Sequence, residues 1–272
     1  MRAFPVPETM DEVLISNLSN ISHAGLLLDR LAPYPDDSFR VFDQQNQKEH
    51  IERVAQASTR GDSKLLNGWI DMVRALPTTV AWQQRTVWRL AGQLSRATTL
   101  ENGGVPLHPI YGFAYLTGSG LKGLARAWAQ QNHNSEQDIQ RVFGSVDVVQ
   151  EDESLETAWS AEAGTVVFLE SWPAAWPRLE CDIVNNHHRK YYKEAGVGAP
   201  PGDWESPNPT YFLAVPQNTV FRFALAQRNQ IELPAKSDVE LAAGWLQAAL
   251  QELGAGAKTS AGYGYFSIPE GI

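Results

Sequence analysis

The sequence predicts an α+β fold for this chain of 272 residues, and three observations support the prediction. Residues 8–76 carry apolar side chains at helical spacing, shorter β-branched and apolar runs begin near Thr86, and two amphipathic helical patterns lie between those runs. We therefore expect an N-terminal helical elaboration over 1–80 that packs on a core over 81–272. We expect the whole chain to form one compact domain.

The N-terminal part has three segments with the spacing of amphipathic helices, and a proline-rich stretch at 32–38 follows the first of them. The segments are 9–32, 47–58 and 63–76.

The core alternates between strand-like and helical patterns. Thr117 or Ser119 can cap its first helix, and the β-branched run near Val220 is typical of a buried strand. The order β-α-β-β-α-β is the ferredoxin-like, or RRM-like, plan, and a Pro- and Gly-rich insertion is expected at about 172–210. The segments are, in order, strand 86–92, helix 117–131, strand 164–171, strand 219–227, helix 237–253 and strand 263–268.

The charge of the chain is unevenly distributed. The formal net charge is −9, which argues against binding of nucleic acid by the surface as a whole. Between Met72 and Ser135, however, the only acid is Glu101, whereas acids cluster at 151–156. One region could therefore face phosphate, although a solvated surface would explain the same asymmetry. The cations of the basic region are Arg74, Arg85, Arg89, Arg96, Lys122 and Arg126.

The sequence also favours a cytoplasmic protein with no membrane partner. No apolar run approaches the length of a membrane span, and the N-terminus lacks the apolar region of a secretory signal. Cys181 is the only cysteine, which excludes an internal disulfide and a multi-cysteine zinc site. We expect no cofactor and no metal.

A glycine-rich loop follows the second core helix, in the sequence GAGAKTSAGYGYF at 254–266. Glycines let a polyanion approach the backbone, and Lys258 adds a positive charge. The loop matches neither the Walker motif, which needs a glycine directly before the lysine, nor G-x-G-x-x-G. A helix C-cap followed by a turn is the simpler alternative. The candidate anion-binding residues here are Gly256, Lys258, Thr259 and Ser260.

A second basic motif, TGSGLKGLAR, begins the first core helix at 117–126. Lys122 and Arg126 are one helical turn apart, behind Gly118 and Ser119, where free backbone N–H groups favour an anion. The alternative is a helix with two solvated cations. We select Gly118, Ser119, Lys122 and Arg126 as candidate anion-binding residues.

These motifs carry a resemblance to the RAMP superfamily of CRISPR proteins. The segment GSGLKGLAR at 118–126 resembles its G-S-x-L-K-G-x-x-R element, and residues 254–266 resemble its C-terminal glycine-rich loop. The segment CDIVNNHHRKYY at 181–192 is similar to an element of the sixth-subunit family of the type III-B (Cmr) effector. The resemblance therefore runs from 118 to 266, whereas residues 1–80 match only loosely.

The resemblance implies a ferredoxin-like RAMP subunit of a multisubunit ribonucleoprotein. Its partners would be guide RNA (crRNA), target RNA and other Cmr or RAMP subunits. The resemblance implies that the residues of both motifs lie near RNA or the adjoining subunit, which makes them candidate RNA-binding residues: Gly118, Ser119, Lys122, Arg126, Gly256, Lys258, Thr259 and Ser260. Such a subunit would contact the guide RNA or its duplex with target near the 3′ end of the guide, and would cap the backbone filament. Target cleavage belongs to a different subunit, so we expect this chain not to be an enzyme. A pure protein–protein scaffold is an alternative.

The histidine pair in NNHHRKYY leaves a catalytic alternative open. His187 or His188 could serve a guide-RNA endoribonuclease of the same superfamily, because histidine acts as a general acid or base near neutral pH. Adjacent side chains on an extended chain point in different directions, and no further ligand stands at metal-site spacing. We therefore expect His187 and His188 to contact RNA, with stacking and charge supplied by 189–192.

Overall fold

We analysed a computed structural model of the chain. It describes residues 10–32, 34, 44–58, 62–92, 104–149, 158–188, 191–192, 200, 202, 204–228 and 235–271. Contacts between Cα atoms divide the chain into two compact units. The first unit comprises Met1–Gly61, Ala91–Phe113 and Pro177–Val215, and the second comprises Asp62–Leu90, Ala114–Trp176 and Pro216–Ile272.

The regular elements are numbered in chain order. The helices in the described ranges are α1 (Asp11–Asn17), α2 (Ala24–Arg30), α3 (Gln44–Ala57), α4 (Asn67–Ala75), α5 (Gly118–Gln131), α6 (Glu136–Phe143) and α7 (Ala235–Glu252). The strands are β1 (Thr79–Arg85), β2 (Gly144–Val149), β3 (Ala158–Ala163), β4 (Val166–Phe168), β5 (Trp172–Pro173), β6 (Glu180–Asn186), β7 (Asn208–Ala214), β8 (Val220–Gln227) and β9 (Glu270–Gly271). Short 3-10 turns occupy Leu18–Asn20, Ser63–Leu66 and Thr259–Ala261.

The first unit packs helices on a β-hairpin. β6 and β7 pair antiparallel, with Cys181 opposite Leu213. α3 packs on both strands and on α2, and its Ile51 and Val54 are fully buried. α2 begins at an N-cap whose side chain, that of His23, accepts a hydrogen bond from the Leu26 N–H at 2.9 Å. The helical patterns of the N-terminal segments are thus confirmed, and α2 and α3 each bury a stripe of side chains.

The main sheet of the second unit has the strand order β4-β8-β1-β9, with every pair antiparallel. Counting only the strands and helices of the predicted core, β1, α5, β4, β8, α7 and β9 follow the order β-α-β-β-α-β. The sheet order is then second, third, first, fourth, which is the ferredoxin-like arrangement. The predicted fold class is therefore confirmed.

Both faces of this sheet are covered. On one face Trp82 stacks on Phe223 at 5.6 Å between ring centroids, and α7 packs against β1 and β8. Side chains alternate along a strand, so the neighbouring register pair, Ala81 opposite Ala224, lies on the other face. There α4 buries Trp69 and Val73 against Ala224.

The first predicted strand is wrong in position. β1 ends at Arg85, whereas in the predicted 86–92 the Val87 N–H donates to the Tyr265 carbonyl at 2.8 Å, and Val87 and Trp88 are exposed. β1 lacks the pattern of a buried strand in the sequence, because its second half, at 83–85, is polar. Its buried Gln84 is satisfied by Trp82 Nε1 at 2.8 Å and by the Ser267 carbonyl at 2.7 Å.

Two further segments differ from the prediction. In the predicted strand 263–268, Phe266 makes only an isolated bridge to Thr86, and the closing strand is the later and shorter β9. The predicted insertion at about 172–210 holds the regular strand β6, which pairs with β7.

The two compact units do not coincide with the predicted division at residue 80, because 62–80 groups with the sheet and 177–215 with the N-terminal helices.

No helix in the described ranges is long and apolar enough to cross a membrane.

Candidate nucleic-acid interface

The first turn of α5 is fixed by a capping side chain and by close packing on β4. Thr117 Oγ1 accepts a hydrogen bond from the Gly120 N–H at 3.2 Å, which confirms Thr117 as the N-cap. A Cβ on Gly118 would lie 2.2 Å from the Phe168 carbonyl oxygen, so only glycine fits there. Ser119 is exposed, with its Oγ 3.5 Å from Thr117 Oγ1. The glycine thus lets the helix start lie directly against the strand.

A cluster of three cations lies beside this helix start. Lys122 is half-buried, and its pKa is lowered, first by burial and then by repulsion from Arg126 and Arg228. Arg126 was predicted as a partner of Lys122 and the structure brings the two together. Within the described ranges none of the three cations forms an ion pair. Lys122, Arg126 and Arg228 are called the basic cluster below.

The sequence interpretation missed Arg228. This residue directly follows β8, its N–H donates to the Thr165 carbonyl at 2.9 Å, and its side chain is exposed. Arg228 is about a hundred positions from Lys122 in the sequence, so only the pairing of β8 with β4 brings them close. A cation at the end of a strong strand is the only local signal that could have drawn attention to it.

The glycine loop folds back on itself between α7 and β9. The Leu253 and Gly254 N–H groups both donate to the Ala249 carbonyl, which ends the helix with a left-handed Gly254. The Ala255 N–H then donates to the Gly264 carbonyl at 2.8 Å, and the Gly264 N–H donates to the Arg89 carbonyl at 2.8 Å. The alternative of a helix C-cap followed by a turn therefore describes Leu253 and Gly254. The rest of the loop is held by further backbone hydrogen bonds.

The tip of the loop presents polar groups. Lys258 adopts a left-handed conformation with φ 60° and precedes the 3-10 turn at Thr259–Ala261. Gly256 and Ser260 are exposed, whereas Lys258 and Thr259 are half-buried. The predicted residues of the loop are thus gathered around one turn.

An exposed aromatic residue lies near the base of the loop. Trp88, in the segment bonded to Tyr265 and Gly264, keeps 43% of its surface exposed. The Arg89 guanidinium carbon lies 5.0 Å from the centroid of its ring.

The histidine pair belongs to the first unit, whereas the basic cluster and the glycine loop belong to the second. His187 is exposed. His188 has φ 64°, and its buried Nδ1 lies 3.8 Å from Glu205 Oε2, beyond hydrogen-bond range. The two imidazole centroids are 6.0 Å apart, and Tyr192 is 74% exposed. The neighbouring Arg189 and Lys190, like the acidic cluster 151–156, lie outside the described residues.

The predicted residues of the second unit therefore form two groups on connected elements. Gly118, Ser119, Lys122 and Arg126 share the first half of α5. Further along α5, Trp128 Nε1 donates to Glu252 Oε2 at 2.7 Å, which ties this helix to the last turn of α7. The glycine loop starts at that turn. Among the described residues no group of three potential metal ligands is brought together.

Comparison with known proteins extends these observations. The sequence model of the RAMP superfamily matches residues 99–267. The CRISPR system Cmr subunit Cmr6 of Pyrococcus furiosus is 42% identical over 107 residues. This alignment covers 37% of the present chain and 30% of that protein, so it spans less than a third of the relative.

Comparison with solved structures finds matches that include two proteins of CRISPR effectors. One is a chain in the cryo-EM structure of the type III-B Cmr-beta bound to cognate target RNA, with a TM-score of 0.58 and 16% identity. That alignment covers 96% of the present chain and 89% of the other. The other is the crystal structure of Cmr6 from Pyrococcus furiosus, with a TM-score of 0.37, 25% identity, and coverage of 70% and 97% respectively. The first likeness concerns the fold over nearly the whole chain.

Proposed function

Since the chain belongs to the RAMP superfamily, we propose that it is a non-catalytic RNA-binding and assembly subunit of a type III-B CRISPR ribonucleoprotein. The observation that carries the proposal is the basic cluster, which gathers three cations in a chain whose net charge is −9. The partial identity with Cmr6 supports the choice of complex.

The basic cluster has the electrostatics of a phosphate site. Three like charges repel one another, and burial raises the cost of keeping Lys122 charged. A phosphate between them would remove the repulsion and replace the lost hydration, so binding a polyanion would stabilise the arrangement. Contacts of this kind are independent of base sequence, which suits a guide RNA of varying sequence.

The finer parts of the proposal rest on the resemblance of the sequence motifs to the family. The subunit would meet the guide RNA, or its duplex with target RNA, near the 3′ end of the guide. It would bind other Cmr or RAMP subunits, cap the backbone filament, and work in the cytoplasm. The likeness to a chain in a target-bound type III-B structure is compatible with this place in an assembly, although it concerns the fold.

The arrangement of the histidines favours a non-catalytic role. General acid–base cleavage of RNA needs two proton-transfer groups that reach the same substrate. Nδ1 of His188 is buried toward Glu205, whereas His187 is exposed. If a purified effector cleaves guide-RNA precursor and either His187→Ala or His188→Ala abolishes the cleavage, the endoribonuclease alternative replaces this part of the proposal.

Affinity purification of the tagged protein from its native host tests the assembly. Mass spectrometry should find several other RAMP-like subunits, and sequencing of the bound RNA should find short RNAs with a constant 5′ segment and variable remainders. A lone protein without RNA would overturn the proposal.

A charge-removal experiment tests the RNA contact. In the reconstituted complex, the double variant Lys122→Ala, Lys258→Ala should weaken RNA binding and reduce its dependence on salt. The double variant Arg30→Ala, Arg178→Ala removes two exposed cations outside the basic region and serves as the control. If the assembly stays intact and both doubles bind RNA like the unmodified complex, the chain acts as a protein scaffold.

A further inference from the structure

Strand β4 connects the two parts of the basic cluster. Gly118 lies against the carbonyl of Phe168 at one end of β4, and α5 packs on this strand. Lys122 follows Gly118 by four residues, so it lies one turn further along the same side of the helix. At the other end of β4, the Thr165 carbonyl accepts the hydrogen bond from the Arg228 N–H. The three-residue strand thus brings α5 and the end of β8 within reach of long side chains.

No carboxylate compensates this concentration of charge in the described ranges. Asp238 lies in the same region, since it accepts a hydrogen bond from Thr165 Oγ1 at 2.9 Å. It is already engaged by Arg141, whose Nε lies 3.0 Å and whose terminal nitrogen lies 2.9 Å from Oδ1. Both Arg126 and Arg228 therefore repel the Lys122 ammonium, and this repulsion adds to burial in lowering the pKa of Lys122.

The side chain of Arg228 has no structural role in the described part of the protein. Its backbone is held by the strand, whereas its side chain is exposed and forms no ion pair or side-chain hydrogen bond there. Arg222, six residues earlier on β8, differs in that its guanidinium is buried and donates to the Leu66 and Ala174 carbonyls. An exposed guanidinium held beside a repelled lysine is suited to an anionic ligand.

We propose that Arg228 is an RNA-binding residue that contacts the sugar–phosphate backbone together with Lys122 and Arg126. This inference rests on the proposed function, because it adds a residue to the same site. Arg228 lies outside the two sequence motifs that define the site, and it extends the site from the helix start to the end of β8. The guanidinium donates to phosphate oxygens, so the contact is independent of base sequence.

The test is a salt series on the reconstituted ribonucleoprotein. The affinity for a guide RNA is measured at several salt concentrations for Arg228→Gln, Arg228→Lys, Lys122→Ala and the control Arg178→Gln, which removes an exposed cation outside the basic region. Loss of one phosphate contact should reduce the slope of log K against log salt by about 0.7 for single-stranded RNA and about 0.9 for a duplex. We expect Arg228→Gln and Lys122→Ala each to show this change, and Arg228→Lys and Arg178→Gln to keep the original slope.

The outcomes separate this inference from the proposed function. If Lys122→Ala lowers the slope and Arg228→Gln does not, Arg228 is no RNA ligand and the proposed function stands. If neither variant changes affinity or slope, both proposals fail. Loss of a neighbouring subunit from the Arg228→Gln complex, with the slope unchanged, would assign Arg228 to a protein contact and overturn the inference. Arg228→Lys keeps the charge, so it shows whether an effect of Arg228→Gln comes from charge or from folding.

Discussion

Replacement of Gly264 by alanine tests whether the glycine loop is a fixed structure. Gly264 has φ 79°, and a Cβ there would lie 1.9 Å from the Ala255 carbonyl oxygen. To restore an ordinary contact, that oxygen would have to move by about 1.5 Å. The movement would break the hydrogen bond from the Ala255 N–H to the Gly264 carbonyl.

The expected loss of stability is the sum of two effects. A left-handed alanine costs about 1–2 kcal/mol of backbone energy. Loss of the hydrogen bond costs about 0.5–1.5 kcal/mol more. We therefore expect Gly264→Ala to lower the free energy of unfolding by roughly 1.5–3.5 kcal/mol.

Gly262→Ala is the matched control in the same loop. Gly262 has φ 90°, but no atom lies within 4 Å of its added Cβ. It therefore carries only the backbone cost of about 1–2 kcal/mol. Gly254→Ala should be intermediate, because its nearest contact, to a methyl group of Thr259, is 3.1 Å. The effect of alanine on the unfolded chain is common to all three variants and cancels in the comparison.

Urea unfolding of the three variants measures the differences, and RNA affinity in the reconstituted complex shows whether the loop geometry matters for binding. The order of destabilisation should be Gly264→Ala, then Gly254→Ala, then Gly262→Ala. Equal destabilisation by Gly264→Ala and Gly262→Ala would refute the reasoning, because it would mean that the loop yields without loss to the added Cβ.

Three further predictions concern single side chains. Arg222→Ala should lower the free energy of unfolding by about 2–4 kcal/mol in urea, since it removes two buried hydrogen bonds to carbonyls; an effect no larger than that of the exposed Arg178→Ala, about 0.5 kcal/mol, would contradict this. Burial, assisted by Arg53, lowers the pKa of His50 from 6.5 to about 4, so below pH 6.5 the unfolded chain takes up a proton that the folded chain does not. The free energy of unfolding should therefore fall by about 3 kcal/mol as the pH drops from 6.5 to about 4, and His50→Gln should flatten the profile; an unchanged profile would exclude His50 as the source. Burial, followed by the charge of Glu52, raises the pKa of the Cys181 thiol from 9.0 to about 11, so iodoacetamide at pH 8 should alkylate it about 100-fold more slowly in the native protein than in urea, and equal rates would show that the thiol is not shielded.

The sequence predicted those elements in which the positions that are apolar in the local pattern are also the positions buried in the fold. α5, α7 and β8 bury the apolar positions that their periodicity indicated. β1 has no such pattern, because its Gln84 is buried and satisfied by distant groups. The pairing of β6 with β7 was hidden within a segment whose Asn and Pro content is typical of loops.

The candidate site was predictable only where its residues are close together in the sequence. Lys122 and Arg126 are one turn apart on any helix, and the glycine spacing marks the loop directly. Arg228 joins them only through the pairing of β8 with β4, which local patterns do not encode. The histidine pair was expected to serve the same RNA, but its segment folds with the N-terminal helices. Its role stays a prediction.

The covered sheet explains why the proposed RNA contact lies at helix starts and loops. In RRM domains, aromatic side chains on the open face of the sheet stack on bases and thereby read sequence. Here Trp69 and Val73 of α4 cover this face of the sheet. Arg222 on β8 is also buried, and its guanidinium donates hydrogen bonds to two backbone carbonyls. Base stacking on the sheet is therefore blocked in this unit. The basic cluster and the glycine loop instead offer cations, and a contact between a cation and phosphate does not depend on the base. A fold that reads sequence in one setting is thereby suited to hold a guide RNA whose sequence changes.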